Sequence, residues 1–280
     1  MAKAFSEKQL TPEVIRRMRK TKSPRLKQVM GSFVKHLHAF VREVKPTQEE
    51  WMTGIQFLAE TGHWCTDKRH EFILMSDTLG VSMLVDALNY KAVKGATQST
   101  VLGPFHREGA PEYPLGTNVA KHASDGEPCD VSGTVSGTDG KPIAGAKLDI
   151  WEGGADGLYD AQKGDEMNLR GVFRADAKGR FHFRCVTPTF YPVPNDGPVG
   201  KMLVATGRHP MRPPHLHFVI TAPGFKPLVT HLFRKGGKYL DSDAVFGVKQ
   251  ELIVDFKRGK NGGSSVHYDF VLMPDKKRKK

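Results

Sequence analysis

The sequence is poor in cysteine. Its 280 residues carry three, Cys65, Cys129 and Cys185, and none of them stands in Cys-x-x-Cys spacing. An odd, scattered set argues against a disulfide framework or a thiolate metal site and fits a reducing compartment. No apolar run approaches the roughly 20 residues that a membrane span needs, and the opening MAKAFSEKQL lacks the apolar stretch of a leader. A cytoplasmic protein with no membrane partner is therefore expected. Zinc-finger spacing, RNP-type aromatic motifs and interleaved Lys/Arg and aromatic residues are missing too. The formal net charge of +12 is accordingly not read as nucleic-acid binding. Much of it sits in RRMRKTKSPRLK (16–27) and DKKRKK (275–280), where basic residues ordinarily serve solubility.

What is present divides by period. At 39% hydrophobic residues the chain can build a full core. Over residues 10–90 the apolar positions recur at helical spacing. LTPEVIRRM offers Thr11 as N-cap and Pro12 at the first helical position. Leu26, Val29, Met30, Phe33, Val34, Leu37, Phe40, Val41 and Val44 form a broad stripe, which predicts a helix over 25–44 ended by Pro46. Thr47 and Glu50 make a capping box for a helix bearing Trp51, Ile55 and Leu58, closed by Gly62. A single further helix is expected over about 69–89.

From residue 128 onward short β-branched runs alternate with Gly and Pro. CDVSGTVSGTDGKPIAGAKLDIWEG reads as strand, Asp-Gly turn, strand, and GVFRADAKGRFHFRCV repeats that hairpin pattern around DAKG. Further strands are expected at 214–221, 227–233, 249–255 and 266–273. Many short strands without interleaved helices predict a mainly β protein, a β-sandwich behind a helical N-terminal part. The expected division is 1–98 helical, 99–275 sandwich and 276–280 a basic tail.

RPPHLHF, residues 212–218, fixes two imidazoles two positions apart. On a strand His215 and His217 share a face, and Pro213 and Pro214 hold the entering backbone extended. No cupin-type glutamate and no Asp-His continuation follows, which leaves oxygen donors to complete any metal site. Two tyrosines stand in constrained loops: Tyr159 in WEGGADGLYD and Tyr191 in PTFYPVPNDGPVG. Taken singly, each is as well explained by an aromatic anchoring its loop.

Together, LDIWEGGADGLYD, FYPVPNDGPVG and RPPHLHF, preceded by TVLGPFHREGAP, resemble the intradiol ring-cleavage dioxygenases over nearly the whole chain. Within that family the likeness is greatest to the members that cleave hydroxyquinol. The resemblance implies one non-haem Fe(III) per subunit, held by Tyr159, Tyr191, His215 and His217, with a water or hydroxide beside them. A phenolate is a hard donor suited to a hard ferric ion, which would pull the phenol far below its usual pKa of about 10. Zinc is the poorer match, since it takes Cys, His or carboxylate.

The resemblance further implies an aromatic diol or triol and O2 as substrates, cleaved between the two hydroxylated carbons to a ring-opened diacid. For hydroxyquinol that product is maleylacetate. Tyr191 matches the tyrosine that leaves the metal and takes a substrate proton. Arg212 matches an arginine that stabilises charge on the activated ring, and His231 falls near a glutamine of the catechol enzymes. The implied ring pocket draws Leu74 and Asp77 from the last N-terminal helix. Val101, Leu102, Gly103, Pro104 and Phe105 come from the VLGPF segment, and Val193, Pro194 and Val245 from later loops. Asp77 is the polar member, placed to accept a hydrogen bond from a third ring hydroxyl. A homodimer through the N-terminal helices is implied as well, sometimes around a bound phospholipid. The competing readings are a catechol or chlorocatechol dioxygenase giving a cis,cis-muconate and a transthyretin-like binding module, since GTVSGTDGKPIAGAKLDI also resembles non-enzymatic sandwich domains.

Overall fold

The structure, a computed structural model, describes residues 6–122, 125–259 and 262–275; the expected basic tail 276–280 lies outside them. The chain forms two compact units, residues 1–59 and 60–280. No described helix is long and apolar enough to cross a membrane.

The first unit is helical: α1 (Glu7–Arg17), α2 (Pro24–Val44) and most of α3 (Gln48–His63). Ser23 caps α2 by accepting from the Leu26 amide, and Pro24 takes the first turn, where no amide partner is needed. Lys45 ends the helix in a left-handed conformation just before Pro46. Thr47 and Glu50 form the expected reciprocal cap at the start of α3.

In the second unit the expected helix over 69–89 is broken. It becomes α4 (Glu71–Thr78) and α5 (Val81–Asn89), because Gly80 adopts φ +73° between them. A positive φ costs glycine nothing, so the chain turns there and the apolar periodicity continues in a new direction. Two five-stranded sheets follow. In one, β1 (Pro128–Gly137) is the hub, pairing antiparallel with β4 (Arg180–Val186) and parallel with β11 (Ser264–His267) and β12 (Phe270–Leu272); β10 (Lys257–Arg258) flanks β11. The other runs β3 (Arg170–Arg174), β2 (Lys147–Trp151), β7 (His215–Thr221), β8 (Leu228–Arg234) and β9 (Ile253–Val254). Tyr191–Pro192 (β5) and Met211–Arg212 (β6) form a separate two-stranded ladder.

Neither sequence-read hairpin forms a ladder. β1 and β2 lie in different sheets, as do β3 and β4; the chain does fold back at Asp139-Gly140, where Ser136 bridges Pro142 antiparallel, but β2 itself crosses to the other sheet. Alternation alone cannot distinguish the two outcomes, because either one turns the same residues inward. Of the expected strand over 249–255, Gln250–Leu252 form a 3-10 turn and Ile253–Val254 a two-residue strand.

The parity of β7 sets up the site. Leu216, Phe218 and Ile220 enter the core between the sheets, with Leu148 and Ile150 from β2 and Leu228 and Leu232 from β8. The alternate residues, His215 and His217, with Trp151 and His231 beside them, face away from that core and are nonetheless buried. Phe105, Trp151, Tyr159 and Tyr191 form an aromatic cluster on that side. A strand covered on both faces is buried continuously rather than at alternate residues, and β7 is so from His215 to Phe218.

Candidate active site

Register brings the first residues together. On β7, His217 pairs with Trp151 of β2 on one side and with His231 of β8 on the other. The short β5–β6 ladder pairs Tyr191 with Arg212, and three residues further on the chain reaches His215. Tyr159 caps the one-turn helix α6 (Asp160–Lys163), its amide donating to the Gln162 side chain at 2.9 Å.

Four donor atoms close a ring. Tyr159 Oη stands 2.9 Å from Tyr191 Oη and 2.8 Å from His217 Nε2. His215 Nε2 stands 3.1 Å from His217 Nε2 and 3.2 Å from Tyr191 Oη. All four side chains are at most 3% exposed. His215 Nδ1 lies 2.7 Å from the Pro213 carbonyl, which can only accept, so Nδ1 carries the proton and Nε2 presents its lone pair inward. Trp151 stacks on His217 at 4.6 Å between ring centres, and Phe105 stacks on Tyr159 at 4.3 Å.

Burial pushes the Tyr159 phenol well above its ordinary pKa, with the neighbouring Tyr191 adding to the rise. Tyr191 rises too, chiefly through burial and against the pull of Arg212. Burial drives both imidazoles well below their usual value, helped by Arg212 at His215 and by the other histidines at His217. Four uncharged donors crowd within about 3 Å of one another, the spacing of neighbouring ligands around one metal ion. A multivalent cation reverses the phenol shifts by stabilising the phenolates. With two phenols, two imidazoles, and no cysteine or carboxylate, the set fits a hard, highly charged ion such as Fe(III) and fits zinc poorly.

Arg212, 1% exposed, reaches the ring with Nη1, 3.3 Å from Tyr191 Oη and 3.1 Å from His215 Nε2. Its Nε and Nη2 donate to Asp243 at 3.0 and 3.3 Å. Burial works to discharge the guanidinium, but Asp243 together with Tyr191 and Tyr159 outweighs it, and the pKa is raised. His231 stacks against His215 with centroids 4.6 Å apart and meets His217 edge-on at 4.2 Å. Neither of its ring nitrogens makes a hydrogen bond of ordinary geometry. His215, His217 and His231 place a nitrogen each within 4.8 Å of one another.

Of the pocket residues read from the sequence, Leu74, Pro104, Phe105, Val193 and Pro194 line one cavity of about 390 Å³. Leu74 and Val193 also join Val101 and Val245 in a single buried apolar cluster. Gly103, at φ +78°, lies where an added Cβ would come within 3.4 Å of the His217 ring. Asp77 is 2% exposed rather than solvent-facing, with Oδ2 unpartnered; burial raises its pKa, partly offset by Ser82 and Arg212. Leu102 is the exception in its segment, 40% exposed between buried neighbours.

Sequence reasoning missed the supports. Asp160, directly after Tyr159, forms a buried ion pair with Arg170. Arg170 Nε donates to Asp160 at 2.6 Å, and Nη2 donates to Asp160 as well and to the Phe105 carbonyl at 3.1 Å. One guanidinium thus ties the Tyr159 turn to the ring that stacks on it. Asp243 similarly holds Arg212 while accepting from the Gly247 amide at 2.9 Å. Trp151 and Asp160 carried a signal, lying at the two ends of the WEGGADGLYD motif; Arg170 and Asp243 sit in unremarkable stretches and are found by tertiary contact alone.

The family model described as dioxygenase matches residues 101–274, and that described as catechol dioxygenase N terminus matches 23–97. A 6-chlorohydroxyquinol 1,2-dioxygenase of Cupriavidus pinatubonensis is 54% identical over 272 residues, covering 96% of this chain and 98% of that one. A catechol 1,2-dioxygenase of Candida albicans is 39% identical over 85% of this chain and 80% of its own length. The crystal structure of hydroxyquinol 1,2-dioxygenase from Pseudomonas putida DLL-E4 superimposes with a TM-score of 0.87 at 45% identity, covering 96% and 99% of the two chains.

Proposed function

The chain belongs to the intradiol ring-cleavage dioxygenases, and from that premise we propose that it cleaves hydroxyquinol with O2 between its adjacent hydroxylated carbons, giving maleylacetate. The observation that carries this reading is the closed ring of Tyr159, Tyr191, His215 and His217 donors with Arg212 against it. Those four residues would hold the Fe(III). Bound there, the ion supplies Lewis acidity that ionises its phenolic ligands and readies an electron-rich ring for O2.

The chain's own groups do the rest. Tyr191 Oη, when it gives way to substrate, is a base placed to receive a diol proton. Arg212, fixed by Asp243, brings a permanent positive charge to where negative charge develops on the ring. Leu74, Pro104, Phe105, Val193 and Pro194 wall the cavity that takes the ring and limit its access to water. Asp77 Oδ2, buried without a partner, accepts from the third hydroxyl and so favours hydroxyquinol over catechol. His231 supports the two histidine ligands by ring contact.

The non-enzymatic sandwich reading falls with the family assignment. Catechol or chlorocatechol cleavage is the second reading, favoured by the apolar side of the cavity wall, Leu74, Phe105, Leu158 and Val193, which faces Lys68, Arg69 and Glu71 in the same lining. Functionally, 1–98 acts as the dimerisation region and 99–275 as the catalytic domain, in line with family matches that meet between 97 and 101. A homodimer with the α2 stripe at its interface, a phospholipid among its contacts, and a cytoplasmic location complete the proposal.

The test is direct. Purified protein is expected to be wine-red from tyrosinate-to-Fe(III) charge transfer, to contain one iron per chain, and to consume O2 faster with hydroxyquinol than with catechol. A colourless, iron-free protein overturns the metal assignment; faster turnover of catechol overturns the substrate.

A further inference from the structure

We propose that Cys129 and Cys185 are an oxidisable pair that closes to a cross-strand disulfide when hydrogen peroxide enters the cavity beside them. The two residues lie far apart in sequence but are Cα partners in the antiparallel β1–β4 ladder. Residues directly opposite in such a ladder have Cα atoms about 4.5 or 5.5 Å apart, according to the pair type. Both distances fall within the roughly 4.4–6.8 Å that disulfides span. Both side chains enter the same core cluster, so they emerge from the same face of the sheet. Both cysteines are free thiols in the structure.

The pair is chemically asymmetric. Hydrogen bonding with Cys185, and then with Ser264, holds the Cys129 thiol below its usual pKa, whereas burial pushes Cys185 well up. Ser264, the register partner of Cys129 across β1–β11, also lines the cavity beside the pair, which places the activated thiol of Cys129 as the attacking sulfur and Cys185 as the resolving one. Each cysteine is at most 2% exposed, but a cavity of about 390 Å³ lies beside the pair, lined by Cys185 and by Pro128 and Ser264, the chain neighbour and the β11 partner of Cys129. A small oxidant can enter where a bulky thiol reagent cannot.

The chemistry balances. The Cys129 thiolate attacks one oxygen of hydrogen peroxide; the O–O bond breaks, leaving a sulfenic acid and a hydroxide, which takes a proton. The Cys185 sulfur then attacks the sulfenic sulfur; the S–S bond forms, the S–O bond breaks, and the oxygen leaves as water with the Cys185 proton. Two thiols are oxidised to one disulfide and one peroxide is reduced to two waters. Cys65, in the α3–α4 connection, takes no part.

The experiment exposes the holoenzyme to hydrogen peroxide, alkylates the remaining thiols in denaturant and maps peptides without reduction. The expected product is a linked peptide pair joining Cys129 to Cys185, lighter by two hydrogens than the free peptides, separated by a thiol reductant and still formed in a Cys65→Ser variant. Full alkylation of both cysteines, irreversible oxidation at either, or a link through Cys65 overturns the proposal. In a Cys129→Ser variant, Cys185 is expected to stay alkylatable after the same exposure; its oxidation there overturns the assignment of Cys129 as the attacking sulfur. The wild-type map decides the linkage even where that variant fails to fold.

Discussion

Helix α2 and the histidine face of β7 invert the usual distribution of residues in opposite ways. Of the 21 residues of α2, Val34 is the one that is buried, while Leu26, Phe33, Leu37, Phe40 and Val44 are each about half exposed. On β7 the reverse holds: His215 and His217 are buried among Tyr159, Tyr191, Arg212 and His231. Apolar groups in water and polar groups out of it are both costly arrangements. Each region therefore points to a partner that would relieve the cost, an apolar surface for the helix and a cation for the donor ring. The difference is one of specificity. An apolar stripe accepts any complementary surface, whereas two phenols and two imidazoles select by charge and hardness.

The largest effects come from breaking the donor ring. Tyr159→Phe deletes one hard donor and one potential negative charge from the closed donor ring. Iron affinity is expected to fall by at least about 100-fold, since losing even an outer-sphere partner costs about 10–100-fold. The charge-transfer band should weaken with it, as read by absorbance and elemental analysis. The same change leaves α2 untouched, so the oligomeric state measured by sedimentation is expected to hold.

Next in size is the Arg170–Asp160 clasp. Arg170→Met leaves a buried carboxylate whose remaining cation, Arg107, stands 3.3 Å away. Removing one member of a buried pair costs about 3–5 kcal/mol, and a loss near the lower end is expected in denaturant unfolding. The Phe105 carbonyl loses its donor as well, so the ring stacked on Tyr159 is freed and the charge-transfer maximum is expected to move. A destabilised protein with an unchanged spectrum would mean that the clasp supports the fold without positioning the tyrosine.

These two cases also mark how far the sequence could be read. The stripe of α2 and both tyrosines and histidines were legible, the first because a 3.6 period is a local property and the second because three short motifs recur together. The break at Gly80 was not, since a glycine inside an apolar pattern signals nothing until its φ is known. The turns at Asp139-Gly140 and around Asp176 read as hairpins, yet beyond a single local bridge at Ser136–Pro142 the strands that follow go to the other sheet, because pairing depends on strands far along the chain. Arg170 and Asp243 were invisible for the same reason: a buried ion pair is recognisable only once both members have an address. The Cys129–Cys185 pairing lay beyond a count of cysteines, which spoke only against a framework.

A smaller effect is expected at Asp77. Asn keeps the size of the side chain but replaces one carboxylate oxygen with an amide donor, so a third hydroxyl meets a weaker or mismatched partner. One hydrogen bond to a charged group contributes about 1.5–3 kcal/mol. Asp77→Asn is therefore expected to lower kcat/KM for hydroxyquinol by roughly 10-fold or more while leaving catechol nearly unchanged. An equal loss with both substrates would return Asp77 to a purely structural part, with its neighbours Ser76 and Ser82.

The smallest effect on chemistry is expected from the region with the most exposed apolar surface. Phe33 and Phe40 are 58% and 57% exposed, seven residues apart and so on one face of α2. In a second copy related by a two-fold axis the same residues recur, so a double Phe33→Ser, Phe40→Ser change alters four side chains at once. Fully burying a Phe contributes about 1.5–3 kcal/mol, and since these two are partly covered already, the change should remove roughly half of that at each. The sum is enough to shift a dimer to monomer at micromolar concentration, as sedimentation would show. Every ring-forming residue of the donor site lies in the other compact unit, so kcat per iron is expected to stay within about twofold of the original, in keeping with the usual independence of distant sites. If turnover instead falls in step with the monomer fraction, the two inversions are coupled, and the apolar stripe serves the ferric site as well as assembly.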